Sequence, residues 1–216
     1  ALLTALLVGL FFRVDQFIIQ PVVGDLGVEK YQAAYSYLNF VLLITPVVTL
    51  ALFPRMARHA RDDVPRLSYE YTFALKALLV LSGLIVVVTV WFAPLLVTIV
   101  TGGKQIYLPD SAVALQILIF FLPFSFVNGV TQYVLIALDK QRLITGAFAL
   151  TVTFNVVANL VLIPMLGING AALTTVFSEL VLLGPFLWWV RSSIGPVPLV
   201  ALLWRPLVAG GAAGVL

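Results

Sequence analysis

The sequence lacks cysteine and has one histidine, His59, in 216 residues. The absence of cysteine excludes disulfides, thiolate metal sites and cysteine nucleophiles, and one histidine is too little for a zinc site. Charge is also scarce, at 10% of residues against about 25% in a typical soluble domain, while 62% of residues are hydrophobic. This sequence has too few polar residues to cover the apolar core that a soluble globule of this size would form. The composition therefore excludes a soluble enzyme, a disordered tail and a nucleic-acid-binding domain, despite a pI near 9.3.

Long apolar runs dominate what is present. A transmembrane helix needs about 20 mostly apolar residues, and the mean hydropathy of the whole chain is +1.13. Seven stretches qualify: 1–23, 31–53, 68–92, 110–138, 143–163, 169–190 and 198–216. The sequence predicts an all-α polytopic helix bundle in a membrane. Because apolar stretches stand at both ends and no initiating Met is present, we expect a fragment of a longer protein.

Basic residues alternate between the joining segments. Segments 54–67, 138–142 and 190–206 carry eight lysines and arginines, whereas 21–30 and 102–110 carry one each and 164–169 carries none. Cytoplasmic loops are the basic ones. The pattern predicts that the first set lies in the cytoplasm, which places a multi-pass protein in the cell inner (plasma) membrane.

Prolines predict both exits and bends. Pro54, Pro164 and Pro196 stand at the ends of predicted spans and mark exits. Pro46 and Pro123 lie within spans, where each removes a backbone hydrogen bond and kinks the helix. The short piece 94–100 is either a continuation of the third span or an interfacial half-turn.

Arg13 is a cation at bilayer depth, about 12 Å along the helix axis before Pro21. Gln16 and Gln20 follow on the same helical stripe. Guanidinium pairs bidentately with phosphate, so the stripe predicts contact with an anionic or sugar-bearing substrate. The alternative is a structural pair between Arg13 and a carboxylate on another helix.

Two carboxyl groups also fall within predicted spans. Asp15 is a candidate for binding a coupling ion, H⁺ or Na⁺, or for pairing with a helix outside this chain. Glu179 has Thr175 and Ser178 nearby. A protonated Glu179 that is hydrogen-bonded between helices is favoured over a role in ion coupling.

Polar residues at helical spacing mark three further spans. One such stripe usually joins helices, but several on separate spans predict a shared water-filled cavity. The candidates for substrate contact are Tyr35, Asn39, Asn128, Gln132 and Asn155. The stripes comprise Tyr31, Tyr35, Asn39, Thr45 and Thr49; Ser125, Asn128 and Gln132; and Thr151, Asn155 and Asn159.

No nucleotide-binding, metalloprotease or serine-hydrolase motif appears in the sequence. We therefore expect neither a metal, nor a cofactor, nor an enzymatic activity, nor a nucleic-acid partner. The expected partners are membrane lipids and a transported substrate.

Four stretches resemble a known family. They are FFRVDQFII, TLALFPRMAR, VLIALDKQRLI and NVVANLVLIPMLGINGAALTTVFSELVLL. Their order resembles the C-terminal half of the multidrug/oligosaccharidyl-lipid/polysaccharide flippase superfamily, in its polysaccharide-flippase branch.

The resemblance implies two six-helix lobes around a central cavity. Residues 1–190 would be the second lobe, and 191–216 a cytoplasmic turn with a truncated seventh helix. Members of the branch flip undecaprenyl-diphosphate-linked oligosaccharides to the outer leaflet for surface polysaccharide biosynthesis, coupled to H⁺ or Na⁺. Arg13 best matches the cationic residues thought to hold the diphosphate. The alternatives are a multidrug cation antiporter or lipid II flippase of the same superfamily, or a structural assembly subunit.

Overall fold

The protein is all-α over the residues that the structure, a computed structural model, describes, which are Gly9 and residues 14–196. Arg13 and the predicted seventh span at 198–216 lie outside them. The helices are α1 (Val14–Val23), α2 (Asp25–Leu42), α3 (Ile44–Asp62), α4 (Val64–Val100), α5 (Asp110–Leu118), α6 (Leu122–Ala137), α7 (Gln141–Leu166) and α8 (Ile168–Ile194). Short 3₁₀ turns cover Gln105–Tyr107 and Ile119–Phe121.

Five helical segments are long and apolar enough to cross a membrane. They are Asp25–Asp62, Val64–Val100, Asp110–Ala137, Gln141–Leu166 and Ile168–Ile194, and they correspond to the second to sixth predicted stretches. The shorter apolar helix α1 is the described end of the first stretch. The polytopic membrane architecture predicted from the sequence is confirmed.

The connections between helices gather at two opposite ends of the bundle. At one end, Lys30 Nζ lies 2.6 Å from Asp110 Oδ2 and joins the start of α2 to the start of α5. At the other end, Lys140 Nζ donates to Ser193 Oγ at 2.6 Å and joins the α6–α7 turn to the end of α8. The alternation of connections predicted from charge is therefore present in the fold.

The basic segment 54–67, expected to be a loop, is helical apart from Asp63. The segment Asp25–Asp62, which comprises α2, Leu43 and α3, has 38 residues, about 57 Å at 1.5 Å per residue, against about 30 Å of hydrocarbon. The helix therefore continues beyond the bilayer after its residues become polar. Glu70 on α4 joins α4 to α3: its Oε1 lies 3.1 Å from Arg55 Nη2, and its Oε2 lies 3.0 Å from His59 Nδ1.

Two of the prolines that were expected to mark exits lie inside helices. Pro54 lies inside α3 and Pro164 inside α7, so neither ends its helix. A proline removes one backbone hydrogen bond, and the remaining bonds carry the helix past it. Pro196 follows the end of α8 at Ile194, as expected.

The prolines expected to bend their spans lie beside breaks in the helix. Pro46 comes just after the turn at Leu43 that separates α2 from α3. Pro123 follows the 3₁₀ turn Ile119–Phe121 that separates α5 from α6. Both spans thus have a local break in the α-helical hydrogen-bond pattern within their length.

The third span continues through Pro94 to Val100, so the piece 94–100 is part of this span and not an interfacial half-turn. α4 is kinked at Phe92, whose φ and ψ are −107° and 15°. A proline has no N–H for the carbonyl four residues earlier, here that of Val90. Gln116 Nε2 on α5 donates to this carbonyl oxygen at 2.9 Å. A neighbouring helix therefore replaces the bond that the proline removes.

α8 lies at the centre of the lobe, packed against α5, α6 and α7. Phe186 of α8 is fully buried and meets Phe148 of α7 edge-on at a centroid distance of 6.1 Å. At Gly170 a side chain would overlap the carbonyl of Leu162 on α7. The absence of a side chain there lets α7 and α8 approach closely, as small residues do at membrane helix interfaces.

Candidate functional site

The polar residues of the spans divide into two sets. One set is buried within the lobe, where its members hydrogen-bond across helix interfaces. The other is exposed on α1 and α2. The sequence predicted a single shared cavity. The described polar residues instead form a buried network and a separate open face.

The interior network begins at Asp15, which is 2% exposed. Asp15 Oδ2 accepts a hydrogen bond from the hydroxyl of Tyr31 at 2.6 Å, and this hydroxyl also lies 3.3 Å from Thr175 Oγ1. The three residues belong to α1, α2 and α8. Asp15 therefore has a hydrogen-bond partner within this lobe, while a role in ion coupling and a pairing with a helix outside the chain stay predictions.

Glu179 lies one helical turn beyond Thr175 on α8 and is 2% exposed. Asn128 Nδ2 on α6 donates to Glu179 Oε2 at 2.6 Å and to its backbone carbonyl at 2.9 Å. Glu179 is thus hydrogen-bonded between helices. This is the geometry favoured from the sequence, although its protonation and any role in coupling stay predictions.

A second buried cluster joins α7 to α8. Asn155 Nδ2 donates to Ser178 Oγ at 3.0 Å, and Asn159 Nδ2 donates to Asn155 Oδ1 at 2.9 Å. All three side chains are buried. The bond to Ser178 joins α7 to α8, the bond between the two asparagines lies within α7, and Asn155 is buried away from the open face.

The remaining predicted residues also divide between interior and surface. Tyr35 is 5% exposed and stacks at a tilt on Tyr31, with ring centroids 5.4 Å apart. Asn39, one turn further along α2, is exposed, and Gln132 on α6 is half-buried. Thr49 is buried, and its hydroxyl bonds the backbone of its own helix at Thr45. The predicted stripe on the second span is therefore not one continuous surface.

The open face is formed by amide, hydroxyl and carboxyl side chains of α1 and α2. Gln32 Nε2 lies 3.5 Å from Gln16 Oε1, and Gln20 Nε2 donates to Asp25 Oδ1 at 3.3 Å. On α2 the exposed residues follow the spacing of one helical stripe: Glu29, Gln32, Ser36 and Asn39. From Glu29 to Asn39 this stripe extends about 15 Å along the axis.

Two cavities open on this face. One, of about 340 Å³, lies between α1 and α2 and is lined by Gln16, Gln20, Asp25, Glu29 and Gln32, together with Phe17 and Val28. The other, of about 300 Å³, lies between α2 and the α4–α5 connection. Glu29 and Gln32 line both cavities, so they are adjoining parts of one groove.

Sequence reasoning found Gln16, Gln20 and Asn39 on the open face but missed other polar residues beside them, among them Glu29, Gln32, Ser36 and Lys104. Glu29, Gln32 and Ser36 continue the helical spacing of Asn39 backwards, so the same rule would have found them. Lys104, which lines the second cavity, comes from a distant loop, and no local pattern points to it. Within the described ranges, no three acidic or histidine side chains meet in a group that could hold a metal ion.

Comparison with known sequences identifies the family. A profile of the MatE family matches residues 1–161, well over half of the chain. The chain belongs to the MatE family. MatE proteins are membrane transporters of the superfamily that the sequence resembles, so this part of the prediction is confirmed, whereas the polysaccharide branch stays a prediction.

One relative extends the comparison. The chain is 31% identical over 100 residues to an uncharacterized membrane protein of Methanocaldococcus jannaschii. The match covers 46% of this chain and 18% of that protein. No solved structure matches the chain.

Proposed function

We propose that the chain is part of a MatE-family flippase that moves a polyprenyl-diphosphate-linked oligosaccharide from the cytoplasmic to the outer leaflet of the plasma membrane. The observation that carries the proposal is the open polar face of α1 and α2. Polar groups at membrane depth face protein or a water-filled cavity because exposure to lipid is costly. Hydrogen-bonding side chains such as Gln16, Gln32 and Asn39 are therefore expected to line a transport cavity.

The chemistry of this face suits a polar head group. Moving a diphosphate through hydrocarbon unaided carries a large desolvation cost. Amides and hydroxyls replace water along the path, and Arg13, which precedes α1 in the sequence, supplies a guanidinium for the phosphate. The polyprenyl tail would stay in the lipid beside the lobe.

Coupling to an ion gradient is assigned in this proposal to Asp15. Its carboxyl is buried and accepts a hydrogen bond from the hydroxyl of Tyr31 on α2, which in turn lies 3.3 Å from Thr175 Oγ1 on α8. Binding of H⁺ or Na⁺ would neutralise it and alter these contacts between α1, α2 and α8. Asp15→Asn is expected to abolish gradient-driven transport while leaving substrate binding within about twofold.

The first experiment tests Arg13 in the full-length protein. Arg13→Ala is expected to reduce surface-polysaccharide export at least tenfold, because a charge-assisted hydrogen bond contributes about 1.5–3 kcal/mol. The matched control is Arg142→Ala, an exposed arginine at the end of the bundle with the basic connections. Normal export by Arg13→Ala, at an equal amount of protein in the membrane, would remove Arg13 from the substrate path.

A second candidate function is export of an organic cation, as in a multidrug antiporter. The exposed carboxylates of Asp25 and Glu29 on the same face favour it. Reconstituted full-length protein separates the two candidates when it is supplied with a fluorescent lipid-linked oligosaccharide or with an organic cation dye. Translocation of the dye alone would overturn the flippase proposal.

A further inference from the structure

The part of the groove beside the α4–α5 connection has a chemical character of its own. Its cavity, of about 300 Å³, is within the range of about 300–1,000 Å³ for small-molecule sites. Ala33 and Val100 are its apolar lining residues. The others carry hydrogen-bonding groups, and we call them the outer groove: Glu29, Gln32, Ser36, Thr101, Lys104 and Tyr107.

Contacts between α2 and the connection fix the shape of the outer groove. The ion pair of Lys30 with Asp110, at 2.6 Å, fastens α5 to α2 next to it. Tyr107 OH lies 3.4 Å from Glu29 Oε2 across the cavity. The hydrogen-bonding groups on the two walls are thus held at a fixed separation, which lowers the entropy lost when a ligand binds.

The charges of the outer groove balance, with Glu29 on one wall and Lys104 on the other. With one charge of each sign, the groove gives neither a phosphate nor a cation a net electrostatic attraction. A neutral ligand with many hydroxyl groups does not depend on such an attraction. Carboxylate and amide oxygens accept hydrogen bonds from hydroxyls, the amide and ammonium groups donate to them, and the ring of Tyr107 offers an apolar surface.

We propose that the outer groove binds neutral sugar residues of the transported oligosaccharide, at the end of the lobe opposite the basic connections. This inference rests on the proposed function and assigns the glycan a place of its own. The diphosphate is held elsewhere, on the path that begins at Arg13. The groove thereby selects for a substrate that carries sugar.

Binding of soluble sugars tests the inference in full-length protein reconstituted in nanodiscs. The probes are chitotriose, maltotriose and mannotriose, measured by calorimetry. At least one is expected to bind the unaltered protein. Gln32→Ala and Glu29→Ala are each expected to weaken its binding about fivefold, which corresponds to one lost hydrogen bond. Gln141→Ala, an exposed glutamine at the opposite end, is the matched control and is expected to change affinity less than twofold.

A chemical measurement locates the bound sugar. Acylation of Lys104 by an amine reagent, followed by mass spectrometry, is expected to slow at least threefold when the probe is bound, while acylation of Lys140 is unchanged. The proposal is overturned if no probe binds, if both variants bind as the unaltered protein does, or if Lys104 is not protected.

A flipping assay separates this inference from the proposed function. If the unaltered protein flips a lipid-linked oligosaccharide but the outer groove fails these tests, only the sugar site is wrong. If it flips no lipid-linked oligosaccharide, the proposed function fails whatever the probes do.

Discussion

The bond between Asn128 and Glu179 gives the sharpest stability prediction. One amide group donates at 2.6 Å to the carboxyl and at 2.9 Å to the backbone carbonyl, and both residues are almost fully buried. Hydrogen bonds between membrane helices contribute about 0.6 kcal/mol on average and at most about 1.7 kcal/mol. Leaving a buried polar group without a partner costs about 1–3 kcal/mol. Asn128→Ala is therefore expected to lower the free energy of unfolding by about 2 kcal/mol.

The assay is unfolding of the purified full-length protein by sodium dodecyl sulfate in mixed micelles. Gln132→Ala, at a half-buried amide one turn further along α6, is the matched control and is expected to cost less than about 0.5 kcal/mol. Glu179→Gln is expected to cost less than about 1 kcal/mol, because the glutamine oxygen still accepts the bond from Asn128. A Glu179 carboxyl that is neutral in the folded state predicts the same small cost for Glu179→Gln.

A double-mutant cycle decides whether the contact itself is responsible. Asn128→Ala combined with Glu179→Ala is expected to cost less than the sum of the two single changes by about 1 kcal/mol. Additive effects would refute the reasoning, since they would mean that the two side chains stabilise the fold independently. So would a loss at Asn128 no larger than the loss at Gln132.

Three further predictions concern packing, the kink and topology. Gly170→Ala is expected to destabilise the protein by at least about 1 kcal/mol in the same assay, because its methyl group would overlap the backbone of α7; Gly146→Ala, which has open space, should be neutral or stabilising. Gln116→Ala is expected to cost about 1–2 kcal/mol, since it leaves a carbonyl at the α4 kink without a donor. A cysteine replacing Lys104 should react with an impermeant thiol reagent in intact cells and one replacing Arg61 should not; the reverse would invert the orientation.

Hydropathy predicted the spans but not the ends of the helices. The apolar run of the second span stops at Pro54 and Arg55, where the predicted span ends. The helix continues to Asp62 because an existing helix gains one backbone hydrogen bond for each residue that it adds, and this does not require an apolar side chain. Hydropathy indicates which residues lie in the hydrocarbon, whereas the end of a helix is the point at which its backbone hydrogen bonds stop.

The site was predictable residue by residue, but its pairings were not. Helical spacing marked Asn128, Glu179 and Asp15 as polar groups at membrane depth. Their partners depend on which helices touch, and α6 meets α8 across two intervening connections. Helical spacing places Tyr35 and Asn39 on the same face of α2, yet Tyr35 is buried and Asn39 is exposed. The position at which a neighbouring helix stops covering α2 is a property of the fold as a whole.

The connections at Gly24, Asp63 and Gly167 are each a single non-helical residue. One inserted residue at any of them would rotate the next helix by about 100° and shift it along its axis. Such an insertion would turn the buried side of that helix toward lipid. The longer segment 101–109 has no such constraint on length, apart from its contacts to α2. Length variation among homologues should therefore concentrate in this segment, beside the groove. The same segment should accept an inserted epitope tag. Related proteins can diverge there without a change in the packing of the lobe.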